Sequence, residues 1–217
     1  MNILIISDNQ FIKKNMIRIF NNYNLKYNIV ESKNIDLHNI DSKYELVISA
    51  HCKKLFPPKL VNSFRCINIH PGLNPYNRGY YPQAFSLINK LPIGATIHEI
   101  DEELDHGPII YQEEIEIKST DTSFSLYNKV IKKEIELFEK NFNSIINNNY
   151  IITTPKNEGN LNLKKDFDNL CKIDLDNIDT FENHINLLKA LTFDKYKNAY
   201  FIDKNGDKIY LNIKLSK

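Results

Sequence analysis

The chain has 217 residues, of which 42% are hydrophobic and 25% are charged, the proportions of an ordinary globular protein. That length supports one substantial core, or one core with a small appendage. Its 28 basic and 27 acidic residues leave a net charge of +1, which argues against the broad basic face of a nucleic-acid-binding protein.

The first half of the chain alternates strands with helices. Residues 2–7 predict a buried strand, too short for a signal segment or a membrane span. Asp8 and Asn9 can cap the following helix, whose apolar stripe is Ile12, Met16, Ile19 and Phe20. Strands follow at 27–30, 44–49 and 66–70, with a helix over 58–64 before the last. This order predicts a doubly wound α/β domain with a mostly parallel sheet.

The second half predicts a helix at 82–89, strands at 94–100 and 109–117, and a long amphipathic helix from 123 with Asp121 as its N-cap. The polar residues 147–149 and 153–162 suggest a linker, which ends the main domain near residue 150. Residues 151–217 then form a small appendage with a helix at 181–191. Asn205-Gly206 predicts a hairpin between strands at 199–202 and 208–215. Because a lone hairpin is marginal in water, we expect it to pack on the main domain or on a second subunit.

Chemistry is concentrated in the strand CINIHPG. Asn68 and His70 are two residues apart, so their side chains point to one face at the carboxyl end of a strand, where open α/β sheets bind ligands. The later turn Leu104–Pro108 can bring Asp105 to the same place. An amide can donate to a developing oxyanion, an imidazole can act as a base, and a carboxylate can orient it. Taken singly, these residues also fit a turn cap, a buried histidine and an Asx-turn, so spacing alone leaves both interpretations open.

The segment INIHPGLNPYNRGYYPQAFSLINKLPIGATIHEIDEELDHGPII resembles the folate-dependent formyltransferase family, which includes glycinamide ribonucleotide transformylase and methionyl-tRNA formyltransferase. N-x-H-P stands at 68–71 and L-D-x-G-P at 104–108. The resemblance implies a Rossmann-like catalytic domain, catalytic roles for Asn68, His70 and Asp105, and 10-formyltetrahydrofolate as formyl donor. It also places the folate between the segment Lys53, Lys54 and Leu55 and a second wall of Asp101, Glu102, Glu103 and Leu104. The lysines fit a diphosphate site or a solvated surface equally well.

A narrower similarity, in NPYNRGYYPQAF and INLLKALTFDKYKNAYFID, is to the sugar N-formyltransferases that act on dTDP-linked amino-dideoxy sugars. It implies a nucleotide-linked amino sugar as partner, with dTDP-4-amino-4,6-dideoxyglucose as the expected acceptor for N-formylated surface polysaccharide. The implied pocket residues are Tyr76, Asn77, Arg78, Tyr80 and Gln83. Each of them also fits a surface loop packed on the core, and Gln83 fits an exposed helix position.

Several other interpretations are open. His98, Asp101, Asp105 and His106 could in principle bind a metal, but H-E-x-x-E lacks the second histidine of a zinc protease, and we expect no metal. Formylation of another amine, such as that of glycinamide ribonucleotide, or folate binding without turnover are the alternative functions. We expect a cytoplasmic homodimer, joined by the C-terminal hairpin, with no membrane or nucleic-acid partner. The three widely spaced cysteines favour reduced thiols.

Overall fold

A six-stranded sheet forms the centre of the computed structural model, which describes residues 1–217. Its strands are β1 (Asn2–Ile6), β2 (Lys26–Val30), β3 (Leu46–Ala50), β4 (Arg65–His70), β6 (Ile93–Glu99) and β7 (Ile109–Ile115), with β5 (Arg78–Gly79) outside it. In the order β2-β1-β3-β4-β6-β7, the first four strands are parallel and the last two pairings are antiparallel. The predicted α/β fold with a mostly parallel sheet is confirmed. The chain returns through a short turn after β6, which is why β7 runs antiparallel.

Helices cover both faces of this sheet: α1 (Gln10–Asn22), α2 (Pro58–Ser63), α3 (Pro82–Asn89), α4 (Ser123–Lys140) and α5 (Phe142–Ile146). The largest core is a cluster of 20 buried residues from α1, α4, α5 and one face of the sheet. It includes the whole predicted stripe of α1. A smaller cluster of 7 lies on the opposite face with α2. Because both faces are covered, the central strands β1 and β3 are buried almost throughout, whereas the edge strands β2 and β7 alternate.

Two caps differ from the sequence prediction. Asn9 caps α1, and its Oδ1 accepts hydrogen bonds from the amides of Phe11 and Ile12, but Asp8 instead accepts from Ser32 and the amide of Lys53. The N-cap of α4 is Thr122, not Asp121. Thr122 and Ser125 form a capping box, which satisfies both backbone amides and leaves Asp121 to bind Lys129.

The predicted linker lies along the loop between β4 and α3. Thr153 pairs with Ile109, and β8 (Leu161–Asn162) pairs with β5 in parallel. After it come α6 (Lys164–Leu170), α7 (Phe181–Leu191) and two small hairpins, β9 (Thr192–Phe193) with β10 (Tyr196–Lys197) and β11 (Tyr200–Ile202) with β12 (Lys208–Tyr210). Of these elements, β8, α6 and the first hairpin were not predicted.

The C-terminal elements pack on the main body. Helix α7 lies against α3 and α4, where 10 buried residues form a separate core cluster. The predicted Asn-Gly hairpin is present, but its second strand ends at Tyr210 rather than Leu215, because β11 has only three residues to pair with it. Every helix is too short or too polar to cross a membrane.

Candidate active site

Asn68, His70 and Asp105 lie together at one edge of the sheet. The Asn68 Nδ2 atom donates to Asp105 Oδ1 at 2.8 Å, and His70 Nδ1 is 3.3 Å from Asp105 Oδ2. Strand alternation in β4 turns both side chains to the same face, while the turn between β6 and β7 delivers the carboxylate. An amide, an imidazole and a carboxylate therefore meet as the sequence predicted.

The position of Asp105 is held by its surroundings. Its backbone is left-handed, with φ +50°, and its carbonyl accepts a hydrogen bond of 2.8 Å from Asn74 Nδ2. Its Oδ2 also accepts from the Gly79 amide at 3.2 Å. Burial opposes ionisation of Asp105, but His70, His98 and the Gly79 amide outweigh it and lower its pKa to about 2. The site thus holds a fixed anion.

His70 is buried and uncharged near neutral pH. Burial is the main cause that lowers its pKa to about 4, although the Asp105 carboxylate acts in the opposite direction. Its Nε2 atom is buried and has no hydrogen-bond partner in the protein. Gly72 leaves room for this nitrogen, since a Cβ there would lie 2.3 Å from it. An unpaired buried nitrogen beside a fixed anion can accept a proton from a bound substrate.

His98, which the sequence pattern suggested only as a metal ligand, is a fourth member of the site. It pairs with Asn68 across β4 and β6 and is buried. Its Nδ1 lies 2.7 Å from the Glu99 carbonyl, which requires a proton there, so Nε2 accepts from Asn68 Nδ2 at 3.2 Å. Asp105 and His98 therefore take both amide hydrogens of Asn68 and fix its orientation. Only the antiparallel pairing of β4 with β6 places His98 beside Asn68, and a single sequence does not reveal that pairing.

Two predicted acceptor residues are tied into the loop by hydrogen bonds within the protein. Asn77 is completely buried, where its Nδ2 donates to Ser86 and its Oδ1 accepts from Asn89 and Asn160. Gln83 is also buried, and its amide donates to the Ser123 hydroxyl at 3.3 Å. Asn77 thus has no exposed surface and Gln83 keeps only 4%, and both side chains hold the loop. The alternative of an exposed Gln83 is wrong.

The other predicted acceptor residues remain available. Tyr80 is exposed and Tyr76 is half-buried. Arg78 is buried, its Nε has no partner, and its nearest carboxylate oxygen, on the exposed Glu158, is 3.7 Å away. A buried guanidinium without a close carboxylate is suited to an anionic ligand.

The side chains of the two segments predicted to bind folate differ in exposure and in hydrogen bonding. Lys53 and Leu55 are exposed, whereas the ammonium of Lys54 donates to the Ile35 carbonyl at 2.7 Å. In the turn after β6, Glu102 and Glu103 are exposed and Leu104 is half-buried. The Asp101 carboxylate is 2.6 Å from His106 Nδ1. His106 and Asp101 are thus a separate pair from His98 and Asp105, and no group of three or more such side chains is placed to hold a metal ion.

Comparison with known proteins agrees with this geometry. The model of the formyl transferase family matches residues 10–141, more than half of the chain. The chain belongs to the formyl transferase family. A second model, described as an N-formyltransferase dimerization C-terminal domain, matches residues 166–217. The formyl transferase assignment thus confirms the resemblance seen in the sequence.

Among relatives of this formyl transferase, the dTDP-4-amino-4,6-dideoxyglucose formyltransferase of Mycobacterium tuberculosis is 48% identical over 176 residues, 81% of this chain and 75% of the relative. A 4-N formyltransferase from Francisella tularensis is 45% identical, with a TM-score of 0.91 over 100% of this chain and 98% of that one. The formyltransferase PseJ from Anoxybacillus kamchatkensis, solved with a UDP-linked formamido sugar and tetrahydrofolate, is 25% identical, with a TM-score of 0.67 over 78% and 89%.

Proposed function

We propose that this protein transfers a formyl group from 10-formyltetrahydrofolate to the amine of a dTDP-linked amino-dideoxy sugar, dTDP-4-amino-4,6-dideoxyglucose. The observation that carries the proposal is the meeting of Asn68, His70 and Asp105 around an unpartnered, buried imidazole nitrogen. The donor and acceptor classes are supported by the relatives' descriptions, which name this dTDP sugar and a bound tetrahydrofolate.

The residues present fit both co-substrates. Bound 10-formyltetrahydrofolate supplies the formyl carbon and a nitrogen leaving group. Asn68 donates to the formyl oxygen as negative charge develops on it, with the hydrogen that otherwise faces His98. The unpartnered Nε2 of His70 is the site for the proton of the attacking amine, because Nδ1 faces the Asp105 carboxylate.

The reaction is balanced by one proton transfer. A bond forms between the sugar nitrogen and the formyl carbon, and the bond from that carbon to the folate nitrogen breaks. His70 takes the proton from the sugar amine and returns it to the departing nitrogen. Asp105, ionised because its pKa is about 2, stabilises the imidazolium while His70 holds the proton.

The acceptor pocket is assigned to Tyr76, Arg78 and Tyr80. Arg78 binds diphosphate oxygens in place of its distant Glu158 contact, and the tyrosine rings cover the sugar or the base. Asn77 and Gln83 hold the loop that carries them. For the folate we assign the backbone of residues 53–55 and 101–104, because their side chains are largely exposed or bound to other groups.

We further propose that the protein is a cytoplasmic homodimer. Its cysteines are all unpaired, which fits a reducing compartment. Residues 151–217 are assigned to a C-terminal region that joins the subunits, following a catalytic domain over 1–150. That region exposes large apolar side chains, including Ile178, Phe181 and Tyr196, which a second subunit would cover.

Substitution of the catalytic residues tests the proposal. The purified protein should formylate dTDP-4-amino-4,6-dideoxyglucose faster than glycinamide ribonucleotide, measured by mass spectrometry of the product. Asn68→Ala and His70→Ala should each lower kcat by at least about a hundredfold, with circular dichroism unchanged. Full activity in both variants would refute these roles. Binding of both ligands by the wild-type protein without turnover would identify a binding protein instead.

A further inference from the structure

A carboxylate lies in the core beneath the catalytic edge without a role in the reaction described above. Glu134 is on the buried stripe of α4, its side chain is 0% exposed, and its Oε1 atom has no hydrogen-bond partner. Burial of such a charge is costly, and even a paired buried ion contributes little net stability compared with an apolar residue. Its presence therefore points to a function for the group that it binds.

That group is His51, whose Nε2 lies 2.8 Å from Glu134 Oε2. His51 directly follows β3. Since Ala50 pairs with Ile69 in the parallel register, His51 comes at the carboxyl edge beside His70. Its backbone is left-handed, with φ +62°, a conformation that is unfavourable for a histidine. This turn takes its side chain out of strand alternation and directs it toward α4.

One nitrogen of His51 is left free by these contacts. The ring of Tyr127 lies edge-on to the His51 ring, with 6.2 Å between the ring centres. The tyrosine hydroxyl accepts a hydrogen bond of 2.8 Å from Asn9 Nδ2. Nδ1 makes no hydrogen bond within the protein, and the side chain keeps 13% of its surface exposed. The ring is thus fixed at Nε2, while Nδ1 is open to a ligand.

The two partners shift each other's pKa, and burial raises the pKa of Glu134 while His51 acts to lower it. Burial alone would lower the pKa of His51, but the Glu134 carboxylate outweighs burial and raises it. No other carboxylate contacts the ring. Around the ring lie Glu134 and Tyr127 on α4, Asp8 after β1 and His70 on β4. Its own loop adds Cys52, Lys53 and Lys54.

We infer that Glu134 holds His51 as an imidazolium whose Nδ1–H is a fixed hydrogen-bond donor to an acceptor atom of the folate. His51 is then a folate-binding residue and Glu134 its positioning residue. The inference rests on the proposed function. Folate is favoured over the sugar because His51 begins the loop after β3, and residues 53–55 of that loop are assigned to the folate in the proposed function. The acceptor residues Tyr76, Arg78 and Tyr80 belong instead to the loop after β4.

Three matched variants test this arrangement: His51→Asn, Glu134→Gln and, as control, Glu139→Gln. Asn tolerates the left-handed backbone, and Gln keeps the shape of Glu134 without its charge. Glu139 is a carboxylate on the same helix that pairs with Arg18 at the surface. Titration calorimetry with 5-formyltetrahydrofolate should show about tenfold weaker binding in the first two variants, the value of one charge-assisted hydrogen bond, and no change in the control.

Two further measurements separate folate binding from a structural role. The KM for 10-formyltetrahydrofolate should rise about tenfold in both variants, while the KM for the dTDP sugar stays within about twofold. Histidine-ring NMR at pH 7 should show the His51 imidazolium in the wild type and lose it in Glu134→Gln. Thermal unfolding confirms that each variant is folded. If Glu134→Gln does not fold, the folate affinity and the two KM values of His51→Asn decide the role of His51.

Unchanged affinity for 5-formyltetrahydrofolate in folded His51→Asn would overturn the inference, as would an equal rise in both KM values. Neither result would affect the proposed function, which is tested on the wild-type protein. Conversely, a wild type that binds 5-formyltetrahydrofolate but does not formylate the dTDP sugar would refute the proposed acceptor. The comparison of folate affinities would still decide the role of His51.

Discussion

Replacement of Gly72 by alanine should displace the catalytic imidazole without unfolding the protein. A Cβ at this position would lie 2.3 Å from His70 Nε2 and 2.7 Å from its Cδ2. Ordinary carbon contacts begin near 3.5 Å, so the ring must retreat by about 1 Å. The Gly72 backbone itself accepts alanine, since its φ is not in the left-handed region.

A shift of about 1 Å in a catalytic group costs on the order of a hundredfold in rate, which corresponds to about 2.7 kcal/mol of transition-state stabilisation. We therefore expect Gly72→Ala to lower kcat by about that factor at saturating substrates, with little change in either KM. Steady-state kinetics measures this, and thermal unfolding confirms the fold.

A double-mutant cycle assigns the loss to His70. Asparagine at position 70 lacks the ring atoms that the new Cβ would meet, so Gly72→Ala should reduce the residual activity of His70→Asn by less than about twofold. The reasoning is refuted if Gly72→Ala keeps the wild-type kcat. It is equally refuted if the alanine lowers activity by the same factor with and without the imidazole.

Three other predictions concern stability and assembly. Because the pKa of His70 is about 4 in the folded protein and ordinarily 6.5, the unfolded chain binds the extra proton between these values, so stability should fall by up to about 3 kcal/mol as the pH drops from 6.5 to 4. Urea unfolding at a series of pH values should show that stability depends less on pH in His70→Asn than in the wild type. Equal slopes of stability against pH would contradict the assigned pKa. Asn77→Ala should destabilise the protein by about 2 kcal/mol, because it removes the buried side chain that bonds to Ser86, Asn89 and Asn160. Exposed Asn149→Ala should be neutral, and similar unfolding midpoints for the two variants would refute the structural role of Asn77. In light scattering, Ile209→Asp on the C-terminal hairpin should weaken the dimer at least about tenfold, whereas Phe11→Asp, equally exposed at 39%, should not; equal dimerisation of both would place the interface elsewhere.

Local patterns were sufficient for most elements. The stripe from Ile12 to Phe20 predicted α1, strand alternation placed Asn68 and His70 on one face, and Asn205-Gly206 predicted the hairpin. These features depend on side chains a few residues apart, so the sequence contains them directly. The cap of α4 was misplaced by one residue because Asp121 and Thr122 are both good caps, and only the Ser125 contact distinguishes them.

Contacts between distant segments could not be predicted in the same way. Asn77 was expected to face a sugar, yet it bonds to Asn160 from the supposed linker, 83 residues away. His98 was considered a metal ligand, because only the pairing of β4 with β6 sets it opposite Asn68. Glu134 looked like any polar helix residue until α4 packed on the sheet and brought its carboxylate to His51.

By itself, the sequence determined the α/β fold, the family and the three residues proposed for catalysis, since these follow from periodicity and from two short motifs. Only the tertiary structure decided which side chains are free to meet a ligand. A polar residue becomes a binding group or a structural one according to the partners that folding brings to it. Those partners come from elements far apart along the chain, and no local pattern specifies them.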